Sequence, residues 1–286
     1  MTTPVPAAIH AAVWGADWTP EGIRPTLADA AGLGYSHVAV PLRNFSDIQP
    51  AGLAKAFESH GLQPLNTCGL SPGKDIGSSD PDERARGMAH LKQAVGLARD
   101  MGSRQINGVL YGPLGKAARP LSDDAWRHAA ACIREVAEHA AGAGVRLALE
   151  VVNRYETPLL YNVTRGLRFL DDVGHDNVCL HIDTFHMSIE EADPLGMIEL
   201  ALPRLGYLEL DQSHRGDAFE GSLDLVAWTR RAAELGYRGL VGVEAFSRQK
   251  LASDHADGLA IWEERFRDGR AVAENFMKVI RSGFGQ

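Results

Sequence analysis

The sequence predicts a (β/α)8 barrel, an α/β fold in which eight parallel strands alternate with eight helices. Three observations carry that prediction. Short apolar runs alternate with longer stretches whose apolar residues recur every three or four positions. Eight such units divide the 286 residues into roughly 36 each, the size expected of one barrel unit. Glycines follow the helical stretches where left-handed caps are expected.

In chain order, strands are expected near 8–13, 36–41, 62–68, 104–110, 145–151, 178–183, 205–210 and 239–244. The helical stretches between them cover 21–34, 50–61, 82–102, 122–144, 163–174, 193–206 and 224–236, and an eighth helix is expected near 254–282. Gly34, Gly61, Gly102, Gly144, Gly174 and Gly236 are the candidate caps. No Pro/Gly/Ser-rich linker divides the chain, so residues 1–286 are expected to form one barrel domain. The competing architecture is an open doubly wound sheet. It requires a glycine-rich turn after the first strand, and none is present. "GPLGKAA" (112–118) carries a Gly-Lys pair at the wrong spacing for a phosphate loop.

Composition narrows the function classes. The chain is 45% hydrophobic and 23% charged, with a net charge of −8 and a pI near 5.8. An acidic surface without a basic run argues against nucleic acids and anionic membranes as partners. Cys68, Cys132 and Cys179 lie far apart with no C-x-x-C pair, which argues against a disulfide framework or a zinc knuckle. The N-terminal stretch lacks the pattern of a secretory signal and no segment reaches transmembrane length, so a cytoplasmic protein is expected. On that expectation the sequon at Asn162 is coincidental.

Chemistry concentrates where strands end. In "NVCLHIDTFHMSIEE" (177–191), Val178, Leu180 and Ile182 share one face, and Asp183 has the opposite parity. Glu150 stands opposite Val145, Leu147 and Leu149; Glu209 opposite Leu208 and Leu210; Glu244 opposite Val241 and Val243. Side chains alternate along a strand, so if the aliphatic residues face the helices, all four acids point into the barrel. They lie on consecutive strands, at the C-terminal ends where barrel enzymes place their sites. Four converging carboxylates repel one another. Protonation, pairing with bases or binding of a cation relieves that repulsion, and Arg154 and Arg215 are the only evident basic partners. A hard divalent cation, Mg2+ or Mn2+, answers the problem best because every donor is oxygen. The bland alternative for any one acid is a helix cap or a solvated loop residue. His181 shares the inward parity but lies deeper and reads as core. Trp14 and Trp18 fit either a wall of the site or ordinary core packing.

These residues resemble a known family. "LALEVVNRYE", "HIDTFHMSIEE", "SHRG" and "GVEAF" are similar to the ketose 3-epimerases, the D-tagatose and D-allulose (psicose) 3-epimerases of the xylose-isomerase-like TIM barrels, and "GLSPGKDIGSSDPDERARG" extends the likeness toward the N-terminal half. The resemblance implies inversion at C3 of a free ketose through an enediolate. It implies Glu150 and Glu244 as metal ligands that also act as acid and base, and Asp183 as a further ligand. Glu156, His186 and Arg215 would hold substrate oxygens. It also implies one divalent cation (Mn2+ or Mg2+, with Co2+ possible), a small sugar substrate and a homodimer or homotetramer. The chain departs from the family at Glu209, where a histidine ligand is usual; His214, Asp211 or Gln212 could approach instead. It departs again at Gly112, where a tryptophan lines the pocket; Trp14 and Trp18 could fill that space. Glu209 keeps open another reaction at the same site (aldose–ketose isomerisation, 4-epimerisation or decarboxylation of a 3-oxo acid); the other rival readings are a metal-dependent phosphodiesterase, for which the chain lacks a histidine-rich site and a basic face, and a non-catalytic sugar-binding subunit.

Overall fold

The computed structural model describes residues 4–286. Its eight strands are β1 (Ala8–His10), β2 (His37–Pro41), β3 (Gln63–Thr67), β4 (Gln105–Gly108), β5 (Arg146–Val151), β6 (Val178–Asp183), β7 (Leu205–Leu210) and β8 (Leu240–Val243). All neighbouring pairs are parallel, in the order β1 to β8. A bridge from Ala7 to Val241 joins the two edges, closing the sheet into a barrel. Closure leaves no unpaired edge strand.

The helices follow the expected stretches: α1 (Arg24–Leu33), α2 (Pro50–Ser59), α3 (Pro81–Met101), α4 (Asp123–Gly142), α5 (Val163–Val173), α6 (Thr184–Glu190), α7 (Pro194–Ala201), α8 (Leu225–Glu234), α9 (Ser253–Gly258) and α10 (Gly269–Phe284). Side-chain caps fix several starts. Asp80 accepts from the Asp82 amide ahead of α3, and Ser122 from that of Ala125 ahead of α4. Asn162 of the sequon accepts from the Arg165 amide at the start of α5, which gives its side chain a structural task. The six candidate cap glycines all have positive φ, a region that costs other residues about 1–2 kcal/mol.

Two expectations at the ends of the chain need correction. β1 stops at His10, and Ala11–Val13 form a 3-10 turn instead of extending the strand. Gly269, the first residue of α10, packs directly on the Val13 carbonyl, so the backbone must turn aside there. The last helix does not run from 254. α9 ends at Gly258, the stretch 259–268 is irregular, and α10 begins only after Asp268 caps the amides of Arg270 and Ala271. "EERFRD" (263–268) has no apolar stripe that would bind a helix to the barrel. α6 was not expected, and its start at Asp183 matters for the site.

The parity reading holds. Ile9, Val38, Val40, Leu147, Leu149, Leu180, Ile182, Leu208, Leu210, Val241 and Val243 belong to one buried layer with the inner faces of the helices. A separate small cluster of Ala8, Ala39, Leu65 and Tyr207 fills the barrel interior toward the N-terminal ends of the strands. Gly242 makes room for it, since a Cβ there would fall on the Tyr207 hydroxyl.

His37, at the start of β2, gives this fold an acid sensitivity. Burial lowers its pKa from 6.5 to about 4. The unfolded chain gains a proton below about pH 6.5 that the fold refuses, so stability is complete above that value and falls as pH drops toward 4. The expected loss from this residue is about 2 kcal/mol between pH 7 and pH 5. Urea unfolding at the two pH values should show His37→Gln losing correspondingly less than the parent.

Candidate active site

The strand register decides how the acids meet. Glu150 is level with His181, and Asp183 is level with Glu209. Glu209 is in turn level with Gly242, so Glu244 stands two residues nearer the mouth. Asp183 and Glu209 are almost fully buried, and Glu150 and Glu244 keep slight exposure. All four therefore enter one interior, staggered in depth.

Each acid is held in a particular way. Asp183 ends β6 and caps α6: its Oδ1 accepts the amides of Phe185 (2.7 Å) and His186 (3.2 Å). Its Oδ2 is buried without a partner. Glu150 Oε1 lies 3.5 Å from His186 Nε2. His186 Nδ1 accepts from the Asn153 amide at 3.2 Å and lies 2.9 Å from its side-chain nitrogen, so Nε2 carries the ring proton and points at Glu150. Asn153 also donates to Glu156 at 2.9 Å. Glu244 pairs with the Arg215 guanidinium and lies 3.3 Å from His10 Nδ1. Glu209 is the most heavily engaged: Oε1 is 2.9 Å from His10 Nε2 and 3.1 Å from the Tyr207 hydroxyl, and Oε2 is 2.9 Å from His181 Nε2.

Arg215 is buried, with its guanidinium 4.9 and 4.8 Å from the rings of Phe185 and Phe246. Its Nε donates to Asp211 Oδ2 at 2.6 Å. Cation–π contact with both rings holds the charge where water cannot screen it. Arg154, the other basic candidate, turns outward to a bidentate pair with Glu190 and contributes nothing to the acids.

Electrostatics records the crowding. Burial, then Glu244 and Glu209, push the Glu150 carboxyl well above its usual range. Burial, then Asp211 and Glu209, do the same to Asp183. Burial raises Glu244 against the pull of Arg215 and His10. Glu209 runs the other way: burial opposes its charge, but His10 and His181 more than offset that and keep it ionised. Burial likewise opposes a charge on His10, yet Glu209 and Glu244 lift its pKa to about 9.

The residues fit a hard divalent cation. Asp183 Oδ2 and Asp211 Oδ1 are both buried and unpartnered, an arrangement that no proton donor in the structure relieves. Ligand atoms of Asp183, Asp211 and Glu244 lie within 4.8 Å of one another, as do those of Glu150, Asp183 and His186, of His10, Glu209 and Glu244, and of Glu150, His181 and Glu209. Spacing of this kind suits a dication, and the first group offers it oxygen alone.

A cavity of about 340 Å³ lies among the segments that follow β5 to β8, lined by residues that include Asn153, Glu156, Phe185, His214, Arg215 and Trp262; Arg215, which pairs with Glu244, links it to the acids. Its size suits a small ligand. Glu156 and Arg215 face it as expected. His186 sits beneath, bonded to Asn153. His214 lines the outer wall, where its Nδ1 accepts the Gly216 amide, and it stands apart from the buried acids. Trp14 donates to Asp29 of α1, and Trp18 donates to the Gly15 carbonyl and borders a second cavity of about 250 Å³ beside Arg43 and His255. A larger groove, about 710 Å³, lies outside the barrel between α4 and α5 and has no part in the acid cluster. His10, Asp211 and Tyr207 are site residues that the strand-end reading did not single out.

Comparison with known proteins agrees with the fold. The family model for xylose isomerase-like TIM barrels matches residues 27–272, and the chain belongs to that family. Among its relatives, the L-ribulose 3-epimerase of Mesorhizobium japonicum is 35% identical over 275 residues, covering 96% of this chain and 93% of the relative. The ketose 3-epimerase of Arthrobacter globiformis is 33% identical, covering 95% and 94%. The crystal structure of D-allulose 3-epimerase from Methylomonas sp. in complex with D-allulose superposes with a TM-score of 0.93 at 32% identity, covering 98% of this chain and 97% of that one. Among the described residues, no helix is long and apolar enough to cross a membrane.

Proposed function

We propose that the chain is a divalent-metal-dependent ketose 3-epimerase acting on a free sugar. The observation that carries this reading is that Glu150, near the end of β5, and Glu244, just past β8, each have a ligand atom within 4.8 Å of one on Asp183 in the barrel interior. The names of the relatives support the reaction class, and the buried unpartnered oxygens support the ion. Glu150, Asp183, Glu244 and a carboxylate from the β7 end would hold Mn2+ or Mg2+, with Co2+ a further option. When bound, the ion supplies positive charge where the substrate's oxygens become anionic.

The protein's own groups divide the remaining work. Glu150 and Glu244 approach C3 from opposite sides. One removes the C3 proton, and the electrons spread over C2 and C3 as an enediolate. The other delivers a proton to the far face, which inverts the centre. The two carboxyls need opposite protonation states, and their surroundings differ in the required way: Arg215 and His10 favour charge on Glu244, while Glu150 is hemmed in by acids. The Nε2 proton of His186 and the guanidinium of Arg215 orient substrate oxygens, and Glu156 accepts a hydroxyl at the rim. A soluble cytoplasmic homo-oligomer is the context this reading assigns.

A panel of free ketoses, D-allulose, D-tagatose, L-ribulose and D-fructose, incubated with Mn2+ in D2O and followed by NMR, tests the function. The expected result is C3 inversion with deuterium entering at C3 in at least one sugar. Turnover confined to C1 or C4, or no exchange at C3 in any of them, would sink the assignment.

A further inference from the structure

Two inward carboxylates stand at the end of β7, Glu209 on the strand and Asp211 just past it, and of the two only Asp211 has a buried oxygen without a partner. We propose that Asp211 is the β7 ligand and that Glu209 stays off the ion as the anchor of His10 and His181. The proposal rests on the reading of a divalent cation site given above.

The first observation concerns free oxygens. Asp211 is fully buried; its Oδ2 accepts from Arg215, and its Oδ1 has no partner. Asp183 has the same design, with Oδ1 spent on the α6 amides and Oδ2 unpartnered. In both, one oxygen is fixed by a donor and the other is offered inward. Glu209 has no such oxygen, since a ring nitrogen or hydroxyl lies within 3.1 Å of each. Turning it to an ion would strip His181 Nε2 of its hydrogen-bond partner and His10 of the carboxylate 2.9 Å away.

The second observation is position. Asp211 lies two residues beyond Glu209 on the inward side, level with Glu244, whose amide donates to the Leu210 carbonyl. Among the described residues, Asp183 lies within ligand distance of Asp211 and Glu244; Glu209 falls in two other such groups, with His10 and Glu244 and with Glu150 and His181, and each of those includes one of the imidazoles that already face it. The Asp211 backbone is also pinned: its amide donates to Thr184 Oγ1 (2.8 Å), and that hydroxyl donates back to the Asp211 carbonyl (2.7 Å). Thr184 directly follows Asp183, so the two offered carboxylates are held by one short connection. With Asp211 in place the site needs no nitrogen from β7, and its all-oxygen donors favour hard ions over softer ones.

Binding of Mn2+ alone, followed by the EPR signal of the free ion, separates the two carboxylates. Circular dichroism confirms that each variant folds. Asp211→Asn is expected to weaken Mn2+ binding about tenfold or more beyond any loss in Glu209→Gln. The reverse order, or equal losses, overturns the proposal. A second pair reads ligation directly. Asp211→Cys with Cd2+ should show a thiolate-to-cadmium charge-transfer absorbance that Glu209→Cys and the parent lack, and the band appearing only in Glu209→Cys also overturns it. If the parent binds no Mn2+, the cation site itself is wrong and the proposal falls with it. If the parent binds and only the order is reversed, the cation site stands and the choice of Asp211 fails.

Discussion

Glu150→Gln and Glu244→Gln are each expected to lower C3 epimerisation by about 10²–10⁴-fold while the barrel stays folded. Glutamine keeps the volume and one oxygen, so packing changes little, but it neither takes nor delivers the C3 proton. The two variants should differ in what they leave behind. With the acceptor for one face gone, the remaining carboxylate can still exchange the C3 proton on its own face. One epimer should therefore wash deuterium into C3 without inversion in one variant, and the other epimer in the other. Proton NMR in D2O reads this directly. Wild-type turnover in either variant would remove the two-carboxylate mechanism.

The second large effect concerns stability. Without an ion, burial and mutual repulsion raise Glu150, Asp183 and Glu244 toward the protonated state. A dication that binds only the folded chain adds about 2.7 kcal/mol at a hundred times its Kd. For a chain of this size that is a rise in Tm of about 4–5 °C. EDTA should reverse it, and the gain should shrink as pH falls, because the ligands must first lose their protons. Differential scanning calorimetry with and without Mn2+ at two pH values checks both statements. A Tm unmoved by Mn2+, Mg2+ and Co2+ would argue for a site that holds no cation.

Much of this site was legible in the sequence because side-chain parity survives without knowledge of the fold. Leu208 and Leu210 against Glu209, or Val241 and Val243 against Glu244, place an acid inside once the aliphatic residues are given to the helices. Parity says which way a side chain points, but not which residues on other strands share its depth. That depends on the stagger between strands, where Glu209 meets Gly242 and Asp211 lies level with Glu244. Asp211 was therefore only one of several possible approaches, although it is as buried as Asp183. His10 gave no signal because it ends a three-residue strand, too short to show alternation. Tyr207 shares the inward parity of Glu209, but parity does not say that its hydroxyl reaches that carboxylate. The break in the last helix was hidden because 259–268 carries apolar residues, Leu259, Ile261 and Phe266, that pack on the core without a helix, past a left-handed Ala260.

The plug of Ala8, Ala39, Leu65 and Tyr207 makes the cylinder a blind well. Whatever reaches the carboxylates enters from the rim and leaves by the same door. A reacted molecule must diffuse out before the next can come in, so the two epimers compete for one vacancy and each inhibits conversion of the other.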